Sequence, residues 1–188
     1  MHRAQSPPRK YEEYAFVLDF NSRGKSSTVR GRDGVIVTAI GEDRLTLLEI
    51  LGVPNSTFEV GEKIFIGKEG RTKILSVLGK MDYEKISSSA QSELDTVVEK
   101  IVTINESRFV DYLNNAQPLT PRIHALELIP GIGKTYMKTM LEEREQKKFE
   151  SYEDLQERVG FKEPIRHISE RIIDEITGQS RMNLFVKR

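Results

Sequence analysis

Hydrophobic residues in the first part of the chain fall into five short runs. Between Tyr11 and Met81 the runs are rich in Val, Ile, Leu and Phe, and clusters of Gly, Asn, Pro and charged residues separate them. This pattern is typical of β-strands joined by turns. The runs read YAFVLDF, GVIVTAI, RLTLLEILGV, KIFIG and TKILSVLG. Five strands in so short a segment favour a small closed barrel over an open sheet, because closure removes exposed edges.

The spacing of hydrophobic residues changes after Met81. Apolar positions now recur every three or four residues, as on one face of an amphipathic helix. These positions are Leu94, Val97, Val98, Ile101 and Val102. A second short helix is predicted over residues 106–113. Pro118 and Pro121 close the segment, since proline is disfavoured inside a helix. We therefore predict a helical connector at residues 82–118, with a border between modules beside the two prolines.

The rest of the chain is predicted to form helices in two helix–turn–helix pairs. The first pair has a helix over residues 122–129, a PGIG turn, and a helix over residues 134–147. In the second pair, Ser151 is a favourable N-cap for a helix that stops at Gly160. The last helix opens with Pro164, in the first turn where proline is tolerated, and Gly178 ends it.

These patterns predict an α+β fold class with two modules. We expect a small five-stranded OB-like β-barrel, followed by an all-α tandem helical domain. The segment FEVGEKIFIG, a Gly-Glu turn that leads into an alternating strand, is frequent in oligonucleotide-binding (OB) barrels and their relatives. The predicted parts are a flexible tail at 1–10, the barrel at 11–81, the connector at 82–118, the helical domain at 119–180 and a C-terminal tail at 181–188.

Composition excludes several classes of protein. Hydrophobic residues make up 37% and charged residues 31% of the chain, as in soluble proteins. No apolar run approaches the roughly 18–20 residues of a membrane span, and no secretory signal is present, so we expect a cytoplasmic protein that does not bind membranes. The chain has no cysteine, and its three histidines lie far apart, which argues against disulfides and zinc sites. We expect no catalytic residues, no metal and no cofactor.

The charge is balanced overall and uneven along the chain. The formal net charge is zero, with +3 over residues 1–81, −4 over residues 82–118 and +1 over residues 119–188. Zero net charge argues against a strong, purely electrostatic binder of nucleic acid. Basic residues nevertheless cluster between the first two predicted strands, at Arg23, Lys25, Arg30 and Arg32. This loop is either a contact to phosphates or a solvated loop.

The stretch IPGIGKT, residues 129–135, allows two interpretations. Its end resembles the Gly-Lys-Thr of a phosphate-binding P-loop, but that loop follows a strand and needs a glycine five residues before Gly133. Leu128 occupies that position, and residues with helical spacing precede the turn. We therefore interpret the stretch as a tight turn between helices and predict no nucleotide hydrolysis.

Such a turn can bind an anion. Two glycines allow backbone conformations that side chains disfavour, and they let a ligand approach the backbone closely. The first N–H groups of the following helix have no partner inside the helix, and the positive end of the helix dipole lies behind them. A backbone phosphate fits such a site. The predicted contacts are Gly131, Ile132, Gly133, Lys134, Thr135 and Lys138.

The sequence LIPGIGKTYMKTML resembles the helix-hairpin-helix motif, a nucleic-acid-binding unit without sequence specificity. The following KKFESYEDL resembles the linker to a second hairpin in tandem helix-hairpin-helix domains. Residues 151–178 would be that second copy, and its turn VGFKEP has one glycine instead of two. A barrel followed by a tandem hairpin resembles an uncharacterised archaeal family of unknown function that is predicted to bind nucleic acid. The resemblance leans slightly toward RNA, whereas the sequence itself does not separate RNA from DNA.

The resemblance and the anion site together predict a non-catalytic nucleic-acid-binding protein. Phosphate contacts would fix its position on RNA or DNA without reading sequence. Aromatic residues of the predicted barrel, such as Tyr14, Phe16 and Phe20, are candidates for stacking on the bases of a single strand. The alternative is an adaptor that uses the helical domain to bind a protein partner.

Overall fold

The computed structural model describes residues 11–22 and 33–188. Within these ranges the five predicted strands are confirmed. The strands are β1 (Tyr14–Asn21), β2 (Val35–Gly41), β3 (Leu47–Gly52), β4 (Lys63–Phe65) and β5 (Ile74–Lys80). Their Val, Ile, Leu and Phe content suits a pleated, half-buried surface, which explains why the hydrophobic runs located them well.

The strands form one antiparallel sheet in the order β4-β1-β2-β3-β5. Strand β4 returns to lie beside β1, which is the Greek-key order. In the described part of the chain, β4 and β5 are the two edges of the sheet and no ladder joins them. The sheet is therefore a half-barrel, and the closed barrel that we expected is wrong in this respect. Strand β4 has only three residues, too few to close the gap with a full ladder.

The core of the sheet comes from the alternating apolar positions of its strands. Val35, Val37 and Ala39 of β2 point into this core, together with Phe58 from the connection before β4. Phe16 is fully buried, so the expectation that it could stack on a base is wrong. Tyr14 and Phe20 of β1 keep much of their surface exposed and remain available.

Five α-helices follow the sheet. They are α1 (Ser88–Ile104), α2 (Glu106–Asn115), α3 (Gly133–Gln146), α4 (Tyr152–Val159) and α5 (Pro164–Ile176). The caps predicted from sequence are confirmed: the Ser151 hydroxyl accepts the N–H of Asp154 at 2.9 Å, and Gly178 has a left-handed φ of 78° after the end of α5. None of the helices in the described ranges is long and apolar enough to cross a membrane.

The helix predicted over residues 122–129 is wrong. The structure has a single 3-10 turn at Ala125–Leu128, preceded by an isolated bridge between Pro118 and His124. Pro130 disfavours the α conformation at Ile129, and the bridge at His124 leaves only Ala125–Leu128 for a helical turn. Ile129 is extended, as expected for a residue before proline.

The chain divides into two compact units. The first holds the sheet, runs to Glu93 and includes Phe185–Arg188, whose Lys187 N–H donates to the Arg44 carbonyl at 3.0 Å. The second, here called the helical unit, is Leu94–Leu184. These units divide the chain inside α1; the expected border at the prolines, and the other predicted domain limits, stay predictions.

Candidate functional site

The turn between the 3-10 turn and α3 has a buried side and an exposed side. Ile129 and Ile132 are each 1% exposed and fix the turn in the core of the helical unit. The residues between and after them, Gly131 and Gly133, are exposed. The predicted contact at Ile132 can therefore involve only its backbone, whereas the two glycines present their backbone to solvent.

The two glycines are required for different reasons. Gly131 has a φ of 82° and Gly133 a φ of 55°, both in the left-handed region that side chains disfavour. A Cβ added at Gly131 would lie 2.7 Å from Cε1 of the His167 ring, whereas one added at Gly133 would meet nothing within 4 Å. Glycine is thus required at position 131 for both its backbone conformation and the close packing of His167, and at position 133 for its backbone conformation only.

The start of α3 has the features of an anion site. Its N-cap is Ile132, which supplies no side-chain hydrogen bond, and the first turn holds no acidic residue. The first backbone N–H groups of a helix have no intrahelical acceptor and carry the positive end of the dipole. Because no side chain caps them, a phosphate oxygen can take the place of the missing acceptor.

Two lysines extend this site along α3. Lys134 and Lys138 are exposed and lie on one face, since they are four residues apart. Neither forms an ion pair within residues 11–22 and 33–188, although Lys147 at the far end of the helix pairs with Glu150. Thr135 is exposed beside them. The predicted residues of this turn are therefore all exposed except Ile132.

A buried arginine holds the start of the turn, and sequence analysis missed it. Arg171 of α5 donates from Nη1 to the Leu128 carbonyl at 3.2 Å and from Nε to Glu175 Oε2 at 2.9 Å. Its Nη2 donates to the Met182 carbonyl. Glu175 is 0% exposed. Burial of Tyr112, and after it the negative charge of Glu175, raise the pKa of Tyr112 to about 12. The spacing of Arg171 and Glu175, four residues apart on a helix with an apolar face, could have indicated this ion pair in the sequence.

Two more arginines bind the ends of other helices. Arg144 of α3 donates to the carbonyls of Leu113, in the last turn of α2, and of Ala116, its C-cap, at 3.0 and 2.8 Å. Arg158 of α4 donates to the carbonyls of Glu143 and Lys147 at the end of α3, at 2.7 and 2.6 Å. These guanidinium groups are occupied by carbonyl oxygens. For Lys134 and Lys138, in contrast, the described part of the chain provides no such acceptor.

Comparison with known proteins places the chain in a family. The model of the family described as protein of unknown function (DUF655) matches residues 11–187. The chain belongs to the DUF655 family. This confirms the expected resemblance to an uncharacterised archaeal family.

Two DUF655 relatives match over most of their length. An uncharacterised protein of Methanocaldococcus jannaschii is 43% identical over 185 residues, which cover 97% of this chain and 83% of the relative. A protein of Archaeoglobus fulgidus whose crystal structure is described under DUF655 is 36% identical in sequence, and its structure matches with a TM-score of 0.82. That match covers 94% of this chain and 100% of the other, so the mixed α+β fold is shared with a solved member of the family.

In this DUF655 protein, residues 124–146 are here called the first hairpin, and the second hairpin consists of α4, residues 160–163 and α5. Gly160 has a φ of 80°, like Gly131. The N-cap of α5 is Glu163, and the first helical residue is Pro164, which has no N–H group. The Glu163 carboxylate pairs with Arg166 at 3.4 Å. Lys162 is exposed, but the carboxylate and the missing N–H make this turn a weaker anion site.

The basic loop cannot be placed in the same way. Arg23, Lys25, Arg30 and Arg32 lie outside the described residues, between β1 and β2. Their predicted contact with phosphate stays a prediction of the sequence.

Within the first hairpin, His124 caps the 3-10 turn. Its Nδ1 accepts the N–H of Leu126 at 3.1 Å, and the Glu127 carboxylate accepts the N–H of His124 at 2.7 Å. Burial lowers the pKa of His124, and the Arg144 guanidinium lowers it further, against an opposing effect of Glu127. The neutral ring that accepts this hydrogen bond is therefore the favoured form.

Proposed function

We propose that this DUF655 protein binds nucleic acid without catalysing a reaction, and that the first hairpin is its phosphate-binding site. The observation that carries the proposal is the uncapped start of α3, presented by Gly131 and Gly133 beside two lysines that form no ion pair with any described residue. These groups match the charge and geometry of a backbone phosphate. Since a phosphate carries no sequence information, binding would be independent of sequence.

At the level of the fold, we propose that the helical unit contains a tandem helix-hairpin-helix domain. Each hairpin has a glycine at a φ near 80°, followed by a buried apolar residue, Ile132 in the first and Phe161 in the second. Repetition of this feature supports two copies of one motif. The short 3-10 turn at Ala125–Leu128 would take the place of the first helix of the first copy.

We propose that the sheet is OB-like. An OB-fold is a five-stranded, partly open Greek-key barrel that binds oligonucleotides through a strand face and the loops after its first and fourth strands. The half-barrel has five strands in Greek-key order with an open gap. Its first loop holds the basic cluster, and exposed Tyr14 and Phe20 of β1 could stack on bases. This sheet would supply a second contact to nucleic acid.

A binding panel tests the proposal. Labelled single-stranded and duplex DNA and RNA of two unrelated sequences are titrated with the full chain at two salt concentrations. The Lys134→Ala/Lys138→Ala variant should bind every ligand more weakly and show a shallower salt dependence, because each lost phosphate contact removes about one released counterion. The matched control, Lys147→Ala/Lys148→Ala, removes the same charge at the other end of α3. Equal affinities for both double variants would contradict the proposal.

The second candidate function is a protein-interaction adaptor. One observation favours it: a groove in the helical unit is rich in carboxylates, with Glu99, Glu106, Glu153 and Glu157 beside Tyr152. Such a groove repels phosphates and suits a basic protein segment. If the parent protein binds no nucleic acid in the panel, this adaptor function takes first place.

A further inference from the structure

We propose that Tyr136 is a stacking site for an unpaired nucleobase, next to the phosphate-binding turn. The inference rests on the proposed function and makes it more specific: the preferred ligand is a nucleic acid with unpaired bases, not an intact duplex.

Tyr136 is more exposed than its neighbours on the same face of α3. Ile132, Tyr136 and Met140 are spaced by four residues and therefore share one face of the helix. Ile132 and Met140 are each 1% exposed, because this face packs into the core of the helical unit. Tyr136 is 37% exposed, although it lies between them. Tyr136 therefore keeps more than a third of its surface exposed, near the end of α3 that carries the turn.

A series of packed rings supports Tyr136. Its centroid lies 5.6 Å from that of Phe161, with the planes at 60°, and Phe161 is 2% exposed. Phe161 in turn lies 5.0 Å from His167 at 32°. The His167 ring packs against Gly131, where an added Cβ would lie 2.7 Å from Cε1 of the ring. The rings therefore link the turn to Tyr136 and hold its side chain in place, so that a ligand would order few additional groups.

Three lysines lie near the ring in sequence. Lys134 and Lys138 are each two residues from Tyr136 on α3, and Lys162 follows the supporting Phe161. None of these three lysines has an ion-pair partner in the part of the chain that the structure describes. A nucleotide carries both a phosphate for the turn and a base with a π-face for the ring. Any base can stack, so the site adds no sequence preference, but a base inside a duplex is already stacked on its neighbours.

The experiment compares three ligands of equal length: a single-stranded oligothymidylate, the same backbone with abasic sites, and a duplex. The abasic strand keeps the phosphates and lacks the bases. The parent should bind the oligothymidylate most tightly. Tyr136→Ala should lose roughly tenfold in affinity for it, the usual scale for one stacked base, and bind the abasic strand unchanged. Lys134→Ala should weaken all three ligands by a similar factor.

Tyr136→Phe keeps the ring and is the conservative control. It should retain the affinity of the parent for the oligothymidylate. The chain has six tyrosines and no tryptophan, so quenching of tyrosine fluorescence by bound bases should be smaller in Tyr136→Phe. Circular dichroism melting checks that each variant is folded.

Two outcomes would overturn the inference. In the first, Tyr136→Ala is folded and prefers the oligothymidylate over the abasic strand by the same factor as the parent. This would show that the ring only covers Phe161, while phosphate binding by the turn would still stand. A parent that binds none of the three ligands would overturn the proposed function and the stacking site together.

Discussion

The two hairpins of the helical unit share a backbone arrangement and differ in the side chains where the second helix begins. Each has a glycine with a φ near 80° and then a buried apolar residue. In the first hairpin the next residues are Gly133 and Lys134, and no side chain caps the helix. In the second, Glu163 is the N-cap and Pro164 follows.

This difference distinguishes the residues that make the turn fold from those that would bind an anion. The glycine and the apolar residue make the turn fold, and they are present in both hairpins. The ability to bind an anion depends on free N–H groups and nearby positive charge. Proline removes one N–H group, and a carboxylate adds charge of the wrong sign. The first hairpin is therefore the candidate site, while Phe161 of the second hairpin supports the rings around the first.

The largest expected effect is a loss of stability when Arg171, which donates to the Leu128 carbonyl of the first hairpin, is replaced. Arg171→Met removes the ion pair between Arg171 and the buried Glu175, and the donor to the Leu128 carbonyl. Breaking a buried ion pair in this way costs about 3–5 kcal/mol in the free energy of unfolding. The matched control on the same helix, Arg166→Met, loses only exposed ion pairs and should cost less than about 1 kcal/mol. Urea unfolding curves measure both, and equal costs would show that Arg171 has no special role.

The next effect compares the two glycines of similar φ. Gly131→Ala and Gly160→Ala should each lose about 1–2 kcal/mol of stability, because a side chain is forced into the left-handed region. Gly131→Ala should lose a further ~1–3 kcal/mol, because its Cβ meets the His167 ring, which Phe161 holds in place. Gly160 has open space at this position. Urea unfolding of both variants checks this, and a larger loss for Gly160→Ala would contradict the packing argument.

A third effect concerns binding. Lys134→Ala should weaken binding to unrelated sequences equally, by about 10- to 100-fold, since a hydrogen bond to a charged group contributes about 1.5–3 kcal/mol. Lys162→Ala in the second hairpin removes the same charge beside Glu163 and Pro164, and its affinity should change much less. Filter binding at fixed salt concentration measures both variants. If Lys162→Ala is the more damaging change, the roles of the hairpins are reversed.

The smallest effect is the pH dependence of the caps. His124 caps the first hairpin with a neutral ring, whereas Ser151 caps α4 of the second with a group that does not titrate. The pKa of His124 is lowered by folding, so the unfolded chain binds this proton more readily. Stability should therefore fall as the pH drops below about 6.5, the value for an unfolded histidine.

The His124→Asn variant tests this prediction, because asparagine caps a helix without titrating. Its thermal stability should depend less on pH between about 7 and 5 than that of the parent. Parallel pH profiles for the two proteins would mean that His124 does not contribute.

Local features of this chain could be predicted from its sequence. The five strands followed from apolar runs between turn residues, and the cap at Ser151 and the stop at Gly178 followed from residues within four positions. The glycines and lysines of the first turn also lie within a few residues of each other. These features depend on backbone conformation and neighbouring side chains, which a short stretch of sequence already contains.

Only the tertiary structure decided the rest. The half-barrel stayed open because β4 is short, and the helix expected at residues 122–129 became a 3-10 turn between prolines. Arg171 reaches Leu128, 43 positions earlier in the chain, and His167 packs under Gly131. The exposure of Tyr136 likewise depends on where Phe161 lies. Such contacts join residues that are distant in sequence, and packing in three dimensions determines which of them meet.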